Sequence, residues 1–187
     1  NESSELAMGG GVTIDGNFGA DGDNILNCNI ISHNEARCVV GNNALGGGIC
    51  TNLCEPILTN NLIAKNISDG IGGGISFNRN SVGTSKYHMV VNNTIILNTA
   101  IFGGALYYRI LIRAPVLINS ILWDNSASGL GDHISGDDEN IVVLYSNVQG
   151  GWDGWGNTYF DPMFIDSLCH LSESSACIDA GIDSIFF

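Results

Sequence analysis

The chain has 187 residues with 6 Lys plus Arg against 19 Asp plus Glu, a formal net charge of −13, and only 13% charged residues, where about 25% is usual. That balance argues against nucleic acid and anionic membrane as partners, since both need a basic patch. It also makes an anionic polysaccharide an awkward ligand unless a cation bridges the two surfaces. No apolar run approaches the ~18 residues of a spanning helix, so no membrane span is expected, and the length fits one domain over residues 1–187.

In chain order, NESSELAMGGG at the start already lies inside a repeat, so residues 1–26 read as a partial first coil of a trimmed or mature fragment whose upstream coils are missing. Within it, DGNFGADGDN concentrates Asp15, Asn17, Asp21 and Asp23 in a Gly-rich loop. Hard oxygen ligands on a flexible loop suit calcium. The EF-hand spacing and its closing Glu are missing, and a solvated loop is the competing reading.

Residues 27–148 repeat. CNIISHN, NNLIAKN, NNTIILN and NSILWDN begin at Cys28, Asn60, Asn92 and Asn119. They align Ile31, Ile63, Ile95, Ile121 and then Val148, with steps of 32, 32, 26 and 27 residues. Between them a second motif ends at Val12, Ile49, Ile75, Leu106 and Ile134. Two motifs alternating at a near-constant period mean a solenoid. The units are short, rich in β-branched residues and separated by Gly, Asn, Asp and Ser, so strands fit and helices do not. The expected fold is all-β, a parallel β-helix of about five to six coils, with the Ile columns filling the bore. The Asn columns (Asn29, Asn61, Asn93, Asn119 and Asn34, Asn66, Asn98, Asn125) belong at corners, where an amide bridges to the backbone or to the Asn one coil away.

The six cysteines are Cys28, Cys38, Cys50, Cys54, Cys169 and Cys177. An even count in a Gly/Asn-rich acidic chain points to disulfides and an oxidising, extracellular compartment. Cys169 and Cys177 pair by proximity, and the other four leave three connectivities open. A zinc site fits poorly, because Cys50 and Cys54 have no second close pair or nearby His.

YYRILIRAP places Arg109 and Arg113 four residues apart. In an extended strand they share a face with Tyr107, which marks either a sugar-binding surface or a solvated face. GDDEN supplies Asp137, Asp138 and Glu139, but consecutive strand residues face opposite ways, so an acidic turn is the plainer reading than a hydrolase pair. In GGWDGWGN, Trp152 reads as a cap over the last coil and Trp155 as an exposed ring for a glycan.

The closing segment, residues 149–187, carries a resemblance. YSNVQGGWDGWGNTYFDPMFID (Tyr145–Asp166) followed by CHLSESSACIDAGID (Cys169–Asp183) resembles the end of secreted bacterial right-handed β-helix repeat proteins of the choice-of-anchor type, within the pectate-lyase-like superfamily. The likeness spans roughly Asn27 to Asp183, and the anchor tail of that group is missing. It implies right-handed coils and a secreted or cell-surface address. Most members have no assigned activity.

Two functions follow. The first is non-enzymatic: a structural, adhesive or filament-forming β-helix that associates end to end through open strand edges. The second is a polysaccharide-binding or polysaccharide lyase-type β-helix acting on an extracellular glycan, with the base drawn from the few Lys and Arg. No cofactor other than calcium is implied.

Overall fold

A computed structural model describes residues 7–16, 24–38, 44–79, 86–109, 113–137 and 140–183. Among these residues there are strands, bends and turns and no helix, hence no helix long and apolar enough to cross a membrane. The strands run only two to four residues each. They persist because each pairs in parallel with its equivalents one circuit before and after.

The first sheet stacks Val12–Asp15, Ile49–Asn52, Ile75–Phe77, Leu106–Tyr108 and Ile134–Gly136. The second stacks Asn24–Asn27, Pro56–Thr59, Met89–Val91, Val116–Ile118 and Val142–Leu144. The third stacks Ile30–Ser32, Leu62–Ala64, Thr94–Ile96, Ile121–Trp123 and Asn147–Val148. A narrow fourth holds Glu35–Ala36, Ile67–Ser68, Thr99–Ala100 and Ser126–Ala127. The chain visits the sheets in this order on each circuit, the last circuit passing to the cap after the third sheet. Parallel strands so connected are compatible with a solenoid.

Register follows the apolar columns. Val12, Ile49, Ile75, Leu106 and Ile134 are direct neighbours up the first sheet. In the third sheet Ile31, Ile63 and Ile95 align as expected, but the next member is Leu122 rather than Ile121. The step from Ile95 is thus 27 residues, as it is between Asn98 and Asn125, and the next, Ser120 to Ser146, is 26. The same slip replaces Asn119 by Ser120 in the first Asn column. With Leu58, Val90, Leu117 and Val143 from the second sheet, these residues form one continuous core. Each fully buried Ile or Leu contributes about 1.5–3 kcal/mol.

Besides the variable corner from the first sheet to the second, three short corners turn the chain. Two place non-glycine residues in the left-handed region: Cys28, Asn60, Asn92, Asn119 and Tyr145 between the second and third sheets, and His33, Lys65, Leu97 and Asp124 between the third and fourth. Residues such as Leu97 adopt this conformation at a cost, which the Asn residues that follow offset. Asn34, Asn66 and Asn98 donate their backbone N–H to the side-chain oxygen of Asn66, Asn98 and Asn125 at 2.9–3.0 Å. Asn29, Asn61, Asn93, Ser120 and Ser146 form the second ladder, which Asn157 completes. The corner before the first sheet requires glycine: Gly46 has φ +65°, and a Cβ there would meet the Ile49 carbonyl oxygen at 2.1 Å.

The closing segment has two jobs. Residues 149–158 cover the last circuit, with Trp152 packed against the core and Thr158 bridging Asn147 in parallel. The remainder folds back along the outer side of the third sheet. Asn147 donates to the Phe160 carbonyl, Phe164 and Cys169 lie beside Ala64, Ile96 and Trp123, and Ile182 exchanges two hydrogen bonds with the Asn119 side chain at 2.9 and 3.0 Å. This cover leaves the outward residues Ala64 and Ile96 buried.

Candidate functional site

The connections from the first sheet to the second differ in length from circuit to circuit, and they gather the chain's positive charge. Of its 6 Lys and Arg, Arg79 and Lys86 flank one connection and Arg109 and Arg113 flank the next, all four exposed. The other two lie elsewhere: Arg37 pairs with Glu35 at 2.6 Å and Asp69 at 3.7 Å, and Lys65 sits at the corner between the third and fourth sheets.

The expected common face of Arg109 and Arg113 is not formed by a strand. Leu106–Tyr108 ends before Arg109, which starts the connection by donating its N–H to the Phe77 carbonyl at 3.0 Å, and residues 110–112 lie outside the described residues. Arg113 lies over the Tyr87 ring, 5.1 Å from its centroid, and donates from Nη1 to the Tyr87 hydroxyl at 3.0 Å, a cation–π pairing that holds the guanidinium in place. Tyr107 points outward and donates its hydroxyl to Asp137 Oδ1 at 2.6 Å. Partial burial, with Asp137 second, pushes its phenol up to about 12. Tyr87 carries no repeat signal of its own, and only alignment of the circuits shows that all four cations follow the same motif.

The other expected residues disperse. Asp15 ends the first strand of the first sheet and accepts the Asn52 side-chain amide at 3.0 Å, while Asn17, Asp21 and Asp23, the rest of the expected calcium loop, lie outside the described residues, as do Asp138 and Glu139. Among the described residues no group of three or more His, Cys, Asp or Glu side chains is placed to hold a metal ion. Trp155 is 82% exposed, on the cap rather than in the basic connections.

None of the six cysteines is joined in a disulfide in the structure. Cys169 lies near Lys65 and Asp166, whereas Cys177 interacts with Ser175 and Asn147. Cys50 is buried on the outer side of the first sheet with Leu45 and Ile71. Cys54 is buried at the corner, its thiol 3.4 Å from the Ile14 carbonyl. Burial pushes Cys50 up to about 12 and Cys54 to about 11, which leaves neither as a nucleophile at neutral pH.

His88, unremarkable in sequence, is fully buried beside Phe77, ring centroids 4.7 Å apart. Neither ring nitrogen has a hydrogen-bond partner. Burial pushes it down to about 4, with the Cys54 backbone opposing weakly.

No family model, curated protein or solved structure matches the chain.

Proposed function

We propose that the chain is a right-handed parallel β-helix of five to six coils, acting outside the cell as a non-enzymatic adhesive protein whose basic corner grips an anionic glycan. The handedness rests on strand twist, which makes parallel crossovers right-handed in almost all sheets, and on the resemblance of the closing segment. The address rests on that resemblance and on the even cysteine count.

The observation that carries the reading is the segregation of charge: Arg79, Lys86, Arg109 and Arg113 flank two consecutive connections of a chain with net charge −13. An acidic protein with one local basic edge repels a polyanion everywhere else, so the edge fixes orientation as well as contact. Arg113 stacked on Tyr87 offers a donor fork beside an aromatic ring, a pairing suited to carboxylate or sulfate on a sugar. End-to-end growth has less support, because the cap covers the last strands of the second and third sheets: Tyr145 and Val148 donate to the carbonyls of Trp155 and Thr158.

The test is retention on immobilised polygalacturonate at low salt. Retention there, release by sodium chloride and no retention on a neutral glucan are expected, with the polyuronate left uncleaved. Flow-through on both resins refutes the reading, and an unsaturated product absorbing in the ultraviolet replaces adhesion by lyase activity.

A further inference from the structure

The capped end is not sealed evenly. The third sheet is continued by the cap, Thr158 bridging Asn147 and accepting the Val148 N–H at 2.9 Å. The second is covered by it, Asn157 donating to the Val143 carbonyl at 2.9 Å and Trp155 accepting the Tyr145 N–H at 2.8 Å at the corner beyond. Among the described residues the first sheet ends at Ile134–Gly136 with no strand beyond it. Its pairing to Leu106–Tyr108 uses the His133 carbonyl and the Asp137 N–H. Because backbone groups alternate sides along a strand, the N–H and C=O groups of Ile134 and Gly136 point the other way. They face an open cleft of about 930 Å³ between this strand and Gly150–Asp153. A Cβ built on Gly150 meets nothing within 4 Å, so the far wall leaves room for backbone to enter.

We infer that this cleft is a docking slot for a partner's extended polypeptide strand, which adds to the first sheet beside Ile134–Gly136. Strand addition satisfies the free edge by main-chain hydrogen bonds and reads alternate side chains. The inward side is floored by Ile134, Ile141, Trp152 and the Tyr108 ring, which fills the space over Gly136, so apolar residues fit at alternate positions of the incoming strand. Asp153 lines the slot and the exposed Asp132 stands before the start of the edge strand, so the partner carries cationic residues beside its apolar ones. The slot adjoins the basic corner at Asp137, which donates its N–H to the Tyr108 carbonyl and accepts the Tyr107 hydroxyl, but it binds through the strand edge rather than the arginines, so neither proposal depends on the other.

The experiment uses the whole chain with the synthetic peptide Lys-Val-Thr-Val-Thr-Lys, its ends blocked. Amide hydrogen exchange is expected to slow at Ile134 and Gly136 when the peptide is added. Methylating the peptide's backbone nitrogens at alternate residues removes its ladder donors and is expected to weaken binding by about tenfold. Asp153→Lys, at an exposed position, is expected to weaken the unmethylated peptide while leaving the melting temperature unchanged. Equal binding of both peptides, or protection elsewhere than this edge, overturns the inference. Protection of these amides by an oligosaccharide and not by the peptide assigns the cleft to sugar and also overturns it.

Discussion

The ring of Tyr108 occupies the space above Gly136, its neighbour one circuit on: a Cβ on Gly136 would lie 2.4 Å from the ring carbons. The bulk of one circuit is accommodated by the absence of a side chain in the next. Gly136→Ala is expected to cost about 1–3 kcal/mol by overpacking, and Tyr108→Val in the same chain to recover part of it. Urea midpoints of the single and double variants measure both, and additive losses would contradict the packing described.

The Asn ladder predicts a position-dependent cost. Asn98 accepts two hydrogen bonds from Asn66 and donates to the Ile63 and Asn125 oxygens, all at 2.9–3.0 Å and fully buried. Asn98→Ala orphans several of these groups at once and is expected to cost about 2–4 kcal/mol, since each buried unsatisfied group costs about 1–3. Asn34, half-buried at the end of the same ladder, is expected to cost less on the same substitution. Equal losses in chemical denaturation would remove the ladder as a stabilising device.

His88 makes stability depend on pH. Burial holds its imidazole at about 4 against an ordinary value of 6.5, so on acidification the unfolded chain takes up the proton first. Its contribution is whole above pH 6.5 and is withdrawn between pH 6.5 and 4, by about 3 kcal/mol in total. The difference in unfolding free energy between the natural chain and His88→Leu is therefore expected to move by that amount across the window. Parallel curves would contradict it.

The thiols give a direct count. Unfolded without reductant, the protein is expected to show six thiols to dithionitrobenzoate, matching the six free cysteines. In the folded protein Cys28 is exposed and reacts first, whereas Cys50 and Cys54 are buried and stay silent at neutral pH. A count of four or fewer would reveal a disulfide.

The circuits were legible because their cause is periodic. The five residues from Val12 to Ile134 stack as their shared motif requires. The slip at Leu122 arose where Ser120 replaces an Asn: its hydroxyl accepts the Asn93 N–H at 3.1 Å, so the geometry persists while the letter changes. Asn119 then imitates a ladder residue, although it holds the left-handed position of Asn60 and Asn92. The fold-back of residues 160–183 onto the third sheet has no period and so no pattern to read. The basic corner was half legible: the cations were visible, but a strand continued through Arg113 hid the turn that sets it on Tyr87.

The most direct test of the central claim compares the natural chain with Arg79→Gln/Arg109→Gln/Arg113→Gln in calorimetric titrations with one oligogalacturonate at low salt. All three positions are exposed, so the melting temperature is expected to hold. The account predicts binding by the natural chain and a loss of at least about tenfold in the variant, because the contact is electrostatic. Equal affinity of the two proteins would contradict it.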